Sequence, residues 1–348
     1  MVAESKNSVR FPAEWEPHAA TWLAWPHYEN DWPGKFEAIP WVYAEIIRHL
    51  SKHERVELIV NDAQSERRAK KTLDKANALN NNVRFHRWPT NRVWTRDSGC
   101  TFVMGADRLA AVTWRFNAWA KYPNWKHDVK IGGLIADAAG AEPIQPRFRD
   151  LHVVLEGGSI DSNGRGTLLT TEECLLSKIQ QRNPGLQRGD YEKIFSEYLG
   201  VTNVIWLGSG IAGDDTHGHV DDITRFVSSN SIVTMVESNP KDPNYKPLRE
   251  NLSRLQRATD CEDKKFEIIE MPMPRPVFFE DRRLPASYAN FYIANGIVLA
   301  PVFNDGNDRI ALDILAKVFP DRETVGIYSG DLIWGFGALH CMTQQQPA

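Results

Sequence analysis

Apolar residues recur at helical spacing in several parts of the chain. In one stretch the positions i, i+3, i+4 and i+7 are filled by Tyr43, Ile46, Ile47 and Leu50. A similar stripe begins at Ala311 and another lies within residues 190–199, whereas residues 63–79 have the charged pattern typical of an exposed helix. Such stripes predict helices that turn one face towards a core. We assign these helices no chemistry.

Four other segments read as an apolar strand, a tight turn and a second apolar strand. They cover residues 96–112, 156–170, 219–236 and 288–300, with turns near Gly105-Ala106-Asp107, Ser162-Asn163-Gly164, Ser229-Asn230 and Asn295-Gly296. Asn-Gly between two apolar runs is a strong hairpin signal, and the other turns are plausible variants. Each segment therefore predicts a β-hairpin, and a polar motif opens each one.

The hairpins alternate with helical patterns, so the chain predicts an α/β protein. The unit recurs every ~50–70 residues, which favours radial repetition around an axis with the polar motifs converging at one end. An open α/β sheet with unrelated loops is the alternative. No linker or low-complexity stretch divides the chain, so we expect a single domain over residues 1–348.

Composition narrows the class of protein. The net charge of −4 gives no electrostatic case for nucleic acid or an anionic membrane. Residues 1–16 lack an apolar signal core, and the nearly apolar stretch 291–303 is too short to span a bilayer. The four cysteines show no CxxC pairing, which favours a reducing compartment, so we expect a cytoplasmic protein. Most of the 12 tryptophans are expected to be large core anchors.

Cys341 lies near the C-terminus between glycines and polar side chains, in GFGALHCMTQQQ. Glycines let a substrate approach the backbone closely, and a thiol in partly polar surroundings suits a nucleophile. The alternative is that Cys341 is a small buried hydrophobe. His340 should point to the opposite face of the segment, which makes it a poor candidate for the base of this thiol.

Histidine and carboxylate candidates open the other hairpins. His219 and Asp221 stand two residues apart, so on a strand they would share one face. Asp97 precedes Ser98-Gly99, where it could end a strand at a pocket, and Glu156 precedes two glycines. Each alone could be an ordinary turn or surface residue. Together they have a chemical logic, because two carboxylates can grip a guanidinium while a thiolate attacks its carbon and a histidine protonates the departing ammonia.

Specific motifs extend this pattern over essentially the whole chain. They are residues 11–18 (FPAEWEPH), 94–99 (WTRDSG), 116–119 (FNAW), 155–159 (LEGGS), 169–176 (LTTEECLL), 213–221 (GDDTHGHVD), 286–292 (ASYANFY) and 340–347 (HCMTQQQP). With these motifs the chain resembles the agmatine deiminases of the guanidino-group-modifying (pentein) superfamily.

The resemblance implies a five-bladed β/α propeller with its active site on the axis. It implies Cys341 as nucleophile and His219 as general acid/base. It further implies that Asp97 and Asp221 hold the guanidinium, that Glu156 supports the substrate and His219, and that Trp94 walls the aliphatic chain. The expected reaction converts agmatine to N-carbamoylputrescine and ammonia without a metal or cofactor. Peptidylarginine or another small guanidino compound is the alternative substrate.

The sequence departs from the family pattern at three places. Cys100 stands where proline is common, His217 stands where asparagine is common, and Ala338-Leu339 replaces a frequent Asn-Ile. None of these changes removes a catalytic group, although His217 and Ala338 are expected near the mouth. Free arginine is disfavoured as substrate, because no dedicated arginine is evident to receive its carboxylate.

Other classes of protein remain open at this point. A metal hydrolase would use His217 and His219 with Cys341 as ligands. A non-catalytic propeller would serve as a binding scaffold. Amidino transfer to an amine would need a deeper acceptor site. The sequence also leaves a homo-oligomer open.

Overall fold

The computed structural model of the chain describes residues 9–105 and 108–348. The expected turn residues Ala106 and Asp107, and the first eight residues of the segment inspected for a signal, lie outside this part. The strands are β1 His18–Ala24, β2 Arg55–Val60, β3 Val83–Arg87, β4 Thr101–Met104, β5 Leu109–Val112, β6 Glu142–Ile144, β7 Arg147–Phe148, β8 Leu151–His152, β9 Asp161–Ser162, β10 Thr167–Thr171, β11 Asn203–Leu207, β12 Thr224–Phe226, β13 Ser231–Val236, β14 Glu267–Pro272, β15 Val277–Phe279, β16 Arg282–Leu284, β17 Tyr292–Ala294, β18 Ile297–Val302, β19 Glu323–Tyr328 and β20 Gln344–Pro347.

The helices connect these strands. They are α1 Ile39–Leu50, α2 Ala63–Lys75, α3 Thr95–Ser98, α4 Ile131–Ala139, α5 Glu172–Leu176, α6 Arg188–Leu199, α7 Tyr245–Arg257 and α8 Asp308–Val318. In α1 the predicted stripe of Tyr43, Ile46, Ile47 and Leu50 is fully buried. The predicted helix 63–79 ends early at Lys75, because Asn77 adopts a positive φ of 52° that helical backbone does not allow.

One strand pattern recurs in the described part of the chain. An antiparallel pair is followed by a parallel third strand in the sheets β4-β5-β6, β9-β10-β11, β12-β13-β14 and β17-β18-β19. A fifth sheet has the order β20-β1-β2-β3, in which the C-terminal strand pairs antiparallel with β1. Because β20 follows Cys341 by three residues, this pairing ties the end of the chain to its first strand.

The predicted hairpins are confirmed, but their first strands begin later than expected. The polar motifs lie just before these strands, on short helical turns at Thr95–Ser98, Gly157–Ser159 and Val220–Asp222. The expectation that His219 and Asp221 share a strand face, and that Asp97 ends a strand, is therefore wrong. At Gly99 the tight turn leaves no room for a side chain, since a Cβ would lie 2.4 Å from the carbonyl oxygen of Thr95.

The apolar residues pack between the sheets and the helices that flank them. The stretch 291–303 forms the β17-β18 hairpin, so it is a core element. Trp22, Trp25 and Trp32 are buried as expected, whereas Trp41 is 49% exposed. Within residues 9–105 and 108–348, no helix has the length and apolar character needed to cross a membrane.

Candidate active site

The polar motifs meet at one site. There the ring of His219 lies among three carboxylates: its Nδ1 is 3.9 Å from Asp97 Oδ1 and 3.9 Å from Asp221 Oδ1, and its Nε2 is 3.8 Å from Glu156 Oε2. The Sγ of Cys341 is 3.7 Å from Asp221 Oδ2. All five side chains predicted as catalytic thus come together, although they derive from four distant segments.

Cys341 is held by Asn290. The Nδ2 of Asn290 donates to Sγ at 3.1 Å, and its Oδ1 accepts from the backbone N–H of Cys341 at 3.3 Å. Burial raises the pKa of the thiol well above its usual value, and the charges of Asp221, Asp222 and Asp97 raise it further. In the free protein Cys341 is therefore a neutral thiol.

His219, in contrast to Cys341, favours its charged form. Burial lowers the pKa of its imidazole, but Asp97, Cys174 and Glu156 outweigh burial and raise that pKa well above its usual value. Neither ring nitrogen has a hydrogen-bond partner among the described residues. The imidazolium therefore has two N–H groups that could serve a substrate.

Glu156 and Asp97 differ in their pKa. Burial raises the pKa of Glu156, but Arg182 and His219 overcome it and bring the value to about 2. Arg182 Nε donates to Glu156 Oε1 at 3.1 Å, and both side chains are inaccessible. Burial raises the pKa of Asp97 to about 6, although Trp119 Nε1 donates to its Oδ2 at 2.8 Å. The sequence reasoning missed Arg182 and Trp119.

His340 contacts the carboxylate of Asp221. The Nδ1 of His340 lies 2.7 Å from Asp221 Oδ2, and its Nε2 lies 2.8 Å from Glu14 Oε2. Burial raises the pKa of Asp221, but the bond from His340 and nearby positive charges lower it overall. With both ring nitrogens engaged, His340 is a poor base for Cys341, as the sequence reasoning held.

A cavity of about 520 Å³ leads to these groups. Cys341, Asp97 and Trp94 line it, and the Trp94 indole packs against Gly335 and Gly337, where a Cβ would come within 2.9 Å and 2.7 Å of the ring. The predicted wall residue is thus beside the thiol. Trp94 fits there only because these two residues lack side chains.

The outer half of the cavity contains an arginine that the sequence reasoning did not anticipate. Arg92 lines the cavity together with Tyr28, Asp31 and Tyr122. The sequence made no dedicated arginine evident for a substrate carboxylate, and the structure places Arg92 in the lining of this cavity. The sequence offered a signal, because Arg92 precedes Trp94 by two residues, but its orientation depends on distant segments.

Of the three departures from the family pattern, Ala338 lies beside the thiol, because its backbone N–H hydrogen-bonds to Cys341 and acts to lower the pKa of that thiol. His217 has a positive φ of 65° and its Nε2 lies 3.0 Å from Ser177 Oγ. Cys100 and Ala338 are each 1% exposed and pack in the hydrophobic core.

The metal-ligand set expected from His217, His219 and Cys341 is not assembled. In the part of the chain that the structure describes, the clusters whose ligand atoms lie within 4.8 Å of one another are Glu156, Cys174, His219 and Asp221, Asp222, Cys341.

Comparisons with known proteins agree with this geometry. Residues 10–347 match the profile of the Porphyromonas-type peptidyl-arginine deiminase family. The chain is 36% identical to an agmatine deiminase of Pseudomonas syringae pv. tomato, with 98% of this chain and 96% of the relative covered. It is 37% identical to an agmatine deiminase of Medicago truncatula, with coverage of 98% and 97%.

The fold is also similar to that of a solved structure. An agmatine deiminase of C. jejuni with substrate bound superposes with a TM-score of 0.87 at 29% identity, covering 100% of this chain and 99% of that one. The α/β fold is thus that of the pentein-type deiminases. More particularly, the chain belongs to the Porphyromonas-type peptidyl-arginine deiminase family.

Proposed function

We propose that the protein hydrolyses agmatine to N-carbamoylputrescine and ammonia. The observation that carries the proposal is the placement of His219 among Asp97, Glu156 and Asp221, with the thiol of Cys341 3.7 Å from Asp221 Oδ2. Three carboxylates around a single histidine suit a cationic, planar guanidinium. The full-length similarity to agmatine deiminases supports agmatine as the substrate.

Binding of the substrate would activate the nucleophile. The guanidinium enters between Asp97 and Asp221, and its positive charge offsets the carboxylates that raise the pKa of Cys341. The Cys341 proton then passes to solvent more readily, since His219 is already protonated, and the thiolate attacks the central carbon of the guanidinium. Trp94 lines the path of the tetramethylene chain.

His219 would move the protons in both halves of the reaction. In the first half it protonates the departing nitrogen, so that the C–N bond breaks and ammonia leaves a covalent adduct on Cys341. In the second half it takes a proton from water, which attacks the same carbon and breaks the C–S bond. Glu156, with its low pKa, keeps a negative charge beside His219 in both halves.

The far end of agmatine carries an ammonium group. Asp31 lines the cavity, and its Oδ2 has no partner among the described residues. This carboxylate is the acceptor that we assign to the ammonium.

Five of the seven sheets within residues 9–105 and 108–348 support an arrangement as five blades around one axis. Each begins with an antiparallel strand pair and continues with a parallel strand. We propose this five-bladed propeller as one domain over residues 1–348. That the protein functions in the cytoplasm, and that it assembles as a homo-oligomer, remain predictions.

A substrate comparison tests the proposed function. The ureido product is measured with agmatine, free arginine and a peptide with an internal arginine, with and without a chelator. We expect the highest kcat/KM for agmatine, unchanged by the chelator. A higher kcat/KM for the peptide would favour peptidylarginine deimination, and activity that depends on zinc would favour a metal hydrolase.

A further inference from the structure

The outer end of the cavity holds an arginine in a fixed orientation. The guanidinium carbon of Arg92 lies 4.1 Å from the ring centre of Tyr122 and 5.4 Å from that of Tyr28. Only 8% of the side chain is exposed. Cation–π contact with the two rings restricts the movement of the guanidinium.

The hydrogen-bonding capacity of Arg92 is mostly unused. Its Nη1 is 3.3 Å from Asp31 Oδ1 and its Nη2 is 3.4 Å from Asn124 Oδ1, and both distances are near the upper limit for a hydrogen bond. Its buried Nε has no partner among the described residues. Since a guanidinium has five N–H donors, three of them have no acceptor within the described part of the chain.

The charges that neighbour Arg92 balance one another unless Asp31 is protonated. Asp215 is saturated, because Lys121 Nζ and Arg282 Nη2 each lie 2.5 Å from its Oδ1 and Tyr122 donates to its Oδ2 at 2.6 Å. Arg92, Lys121 and Arg282 thus stand against Asp31, Asp128 and Asp215, so the formal charges of this group cancel while Asp31 is ionised and leave one positive charge once Asp31 is protonated. The inner end is negative, since Asp97, Glu156 and Asp221 surround His219 there.

A cavity that is negative around His219 and that also has an arginine with unused N–H donors in its lining complements a zwitterion. We propose that Arg92 binds a carboxylate, and that the protein also deiminates ω-guanidino acids, in which a short alkyl chain joins a guanidinium to a carboxylate. The inference rests on the proposed deimination at Cys341. One water is consumed, the C–S adduct forms and breaks as for agmatine, one ammonia leaves, and the product is an ω-ureido acid.

Asp31 gives this preference a dependence on pH. Burial raises the pKa of Asp31 to about 7, while Arg92 opposes that rise and Asp128 and Asp215 add to it. Tyr43 also faces Asp31, and its own pKa lies well above the usual value because of burial and the Asp31 charge. Below about pH 7 Asp31 is neutral and leaves Arg92 free for a carboxylate, whereas above it the Asp31 anion competes for Arg92.

Three substrates that differ only at the far end test the proposal. 4-Guanidinobutanoate carries a carboxylate where agmatine carries an aminomethyl group, and butylguanidine is uncharged there. The readout is the ratio of kcat/KM for 4-guanidinobutanoate to that for butylguanidine, so effects on the chemistry or on folding cancel. We expect a ratio of roughly ten or more, the size of a hydrogen bond to a charged group, and a fall in that ratio as the pH rises from about 6 to 8.

Variants assign the effect to Arg92. Arg92→Gln should bring the ratio close to one, and Arg92→Lys, which keeps the charge without the fork, should retain part of it. Arg309→Gln is the control, since Arg309 is 83% exposed and pairs only with Asp313 in the described part of the chain. The thermal midpoint of each variant is measured alongside.

The outcomes separate this inference from the proposed function. A wild-type ratio at or below one, or a ratio that Arg92→Gln leaves unchanged, would overturn the carboxylate site even if agmatine is hydrolysed. Hydrolysis of 4-guanidinobutanoate without agmatine hydrolysis would support the carboxylate site and remove agmatine as substrate. Failure to hydrolyse any of the three would overturn both.

Discussion

Gly158 offers a sharp test of how closely the site is packed. A Cβ built at this position would lie 2.5 Å from His219 Nδ1 and 3.0 Å from both Asp221 Oδ2 and Asp97 Oδ1. Gly158 does not have a positive φ, so alanine is compatible with its backbone. The variant Gly158→Ala therefore perturbs the site through contact alone.

The size of the effect follows from these distances. Ordinary contacts of a Cβ begin near 3.4 Å, so the His219 ring must retreat by about 0.9 Å from its position 2.5 Å away. A misplacement of ~1 Å at a reacting group costs on the order of 100-fold in rate. Movement of Gly158 would also disturb the bond from its N–H to Asp97 Oδ1, which is 3.0 Å long.

The assay is ammonia release from agmatine, with kcat and KM separated and the thermal midpoint measured in parallel. Gly133→Ala is the matched control, because Gly133 lies within α4 and a Cβ there meets nothing within 4 Å. That change should stabilise the fold by about 0.5–1 kcal/mol, as alanine does in a helix interior, and leave kcat unaltered. If a folded Gly158→Ala protein keeps more than about a tenth of wild-type kcat/KM, the tight packing around His219 is not needed for catalysis.

Three further predictions concern the proposed catalytic groups. Cys341→Ala should abolish turnover, and a residual rate above about one hundredth of wild type would refute the nucleophile; the exposed Cys261→Ser is its control. His219→Gln should lose roughly 10²–10⁴-fold in kcat, and a larger loss in His217→Asn would show that the wrong histidine was chosen. Asp221→Asn should raise KM and lower kcat for agmatine, and an unchanged KM would argue against a grip on the guanidinium.

The sequence predicted the helices and hairpins because their apolar residues follow local periods. The stripe from Tyr43 to Leu50 and the Asn295-Gly296 turn depend on residues close in the chain. The local sequence was therefore enough to predict the helix and the hairpin. The local structure of the polar motifs was harder to predict. His219 and Asp221 do lie together, but on a helical turn rather than a strand, because the period of two was assumed where no strand exists.

The contacts that hold the catalytic side chains in place could not be predicted in the same way. Arg182 reaches Glu156 across 26 residues, and His340 reaches Glu14 across 326. Such pairs depend on how the sheets are arranged, and no local pattern encodes them. Arg92 shows the same limit, since its guanidinium is oriented by Asp31 and Tyr122 from other segments.

The most direct test of the central claim is to trap the covalent intermediate. Enzyme mixed with agmatine is quenched in acid within a single turnover, digested, and mapped by mass spectrometry. The account predicts an adduct of agmatine minus ammonia on the peptide that contains Cys341. An adduct on Cys174, a buried thiol close to His219, or turnover to N-carbamoylputrescine by a protein that cannot form the Cys341 adduct would contradict it.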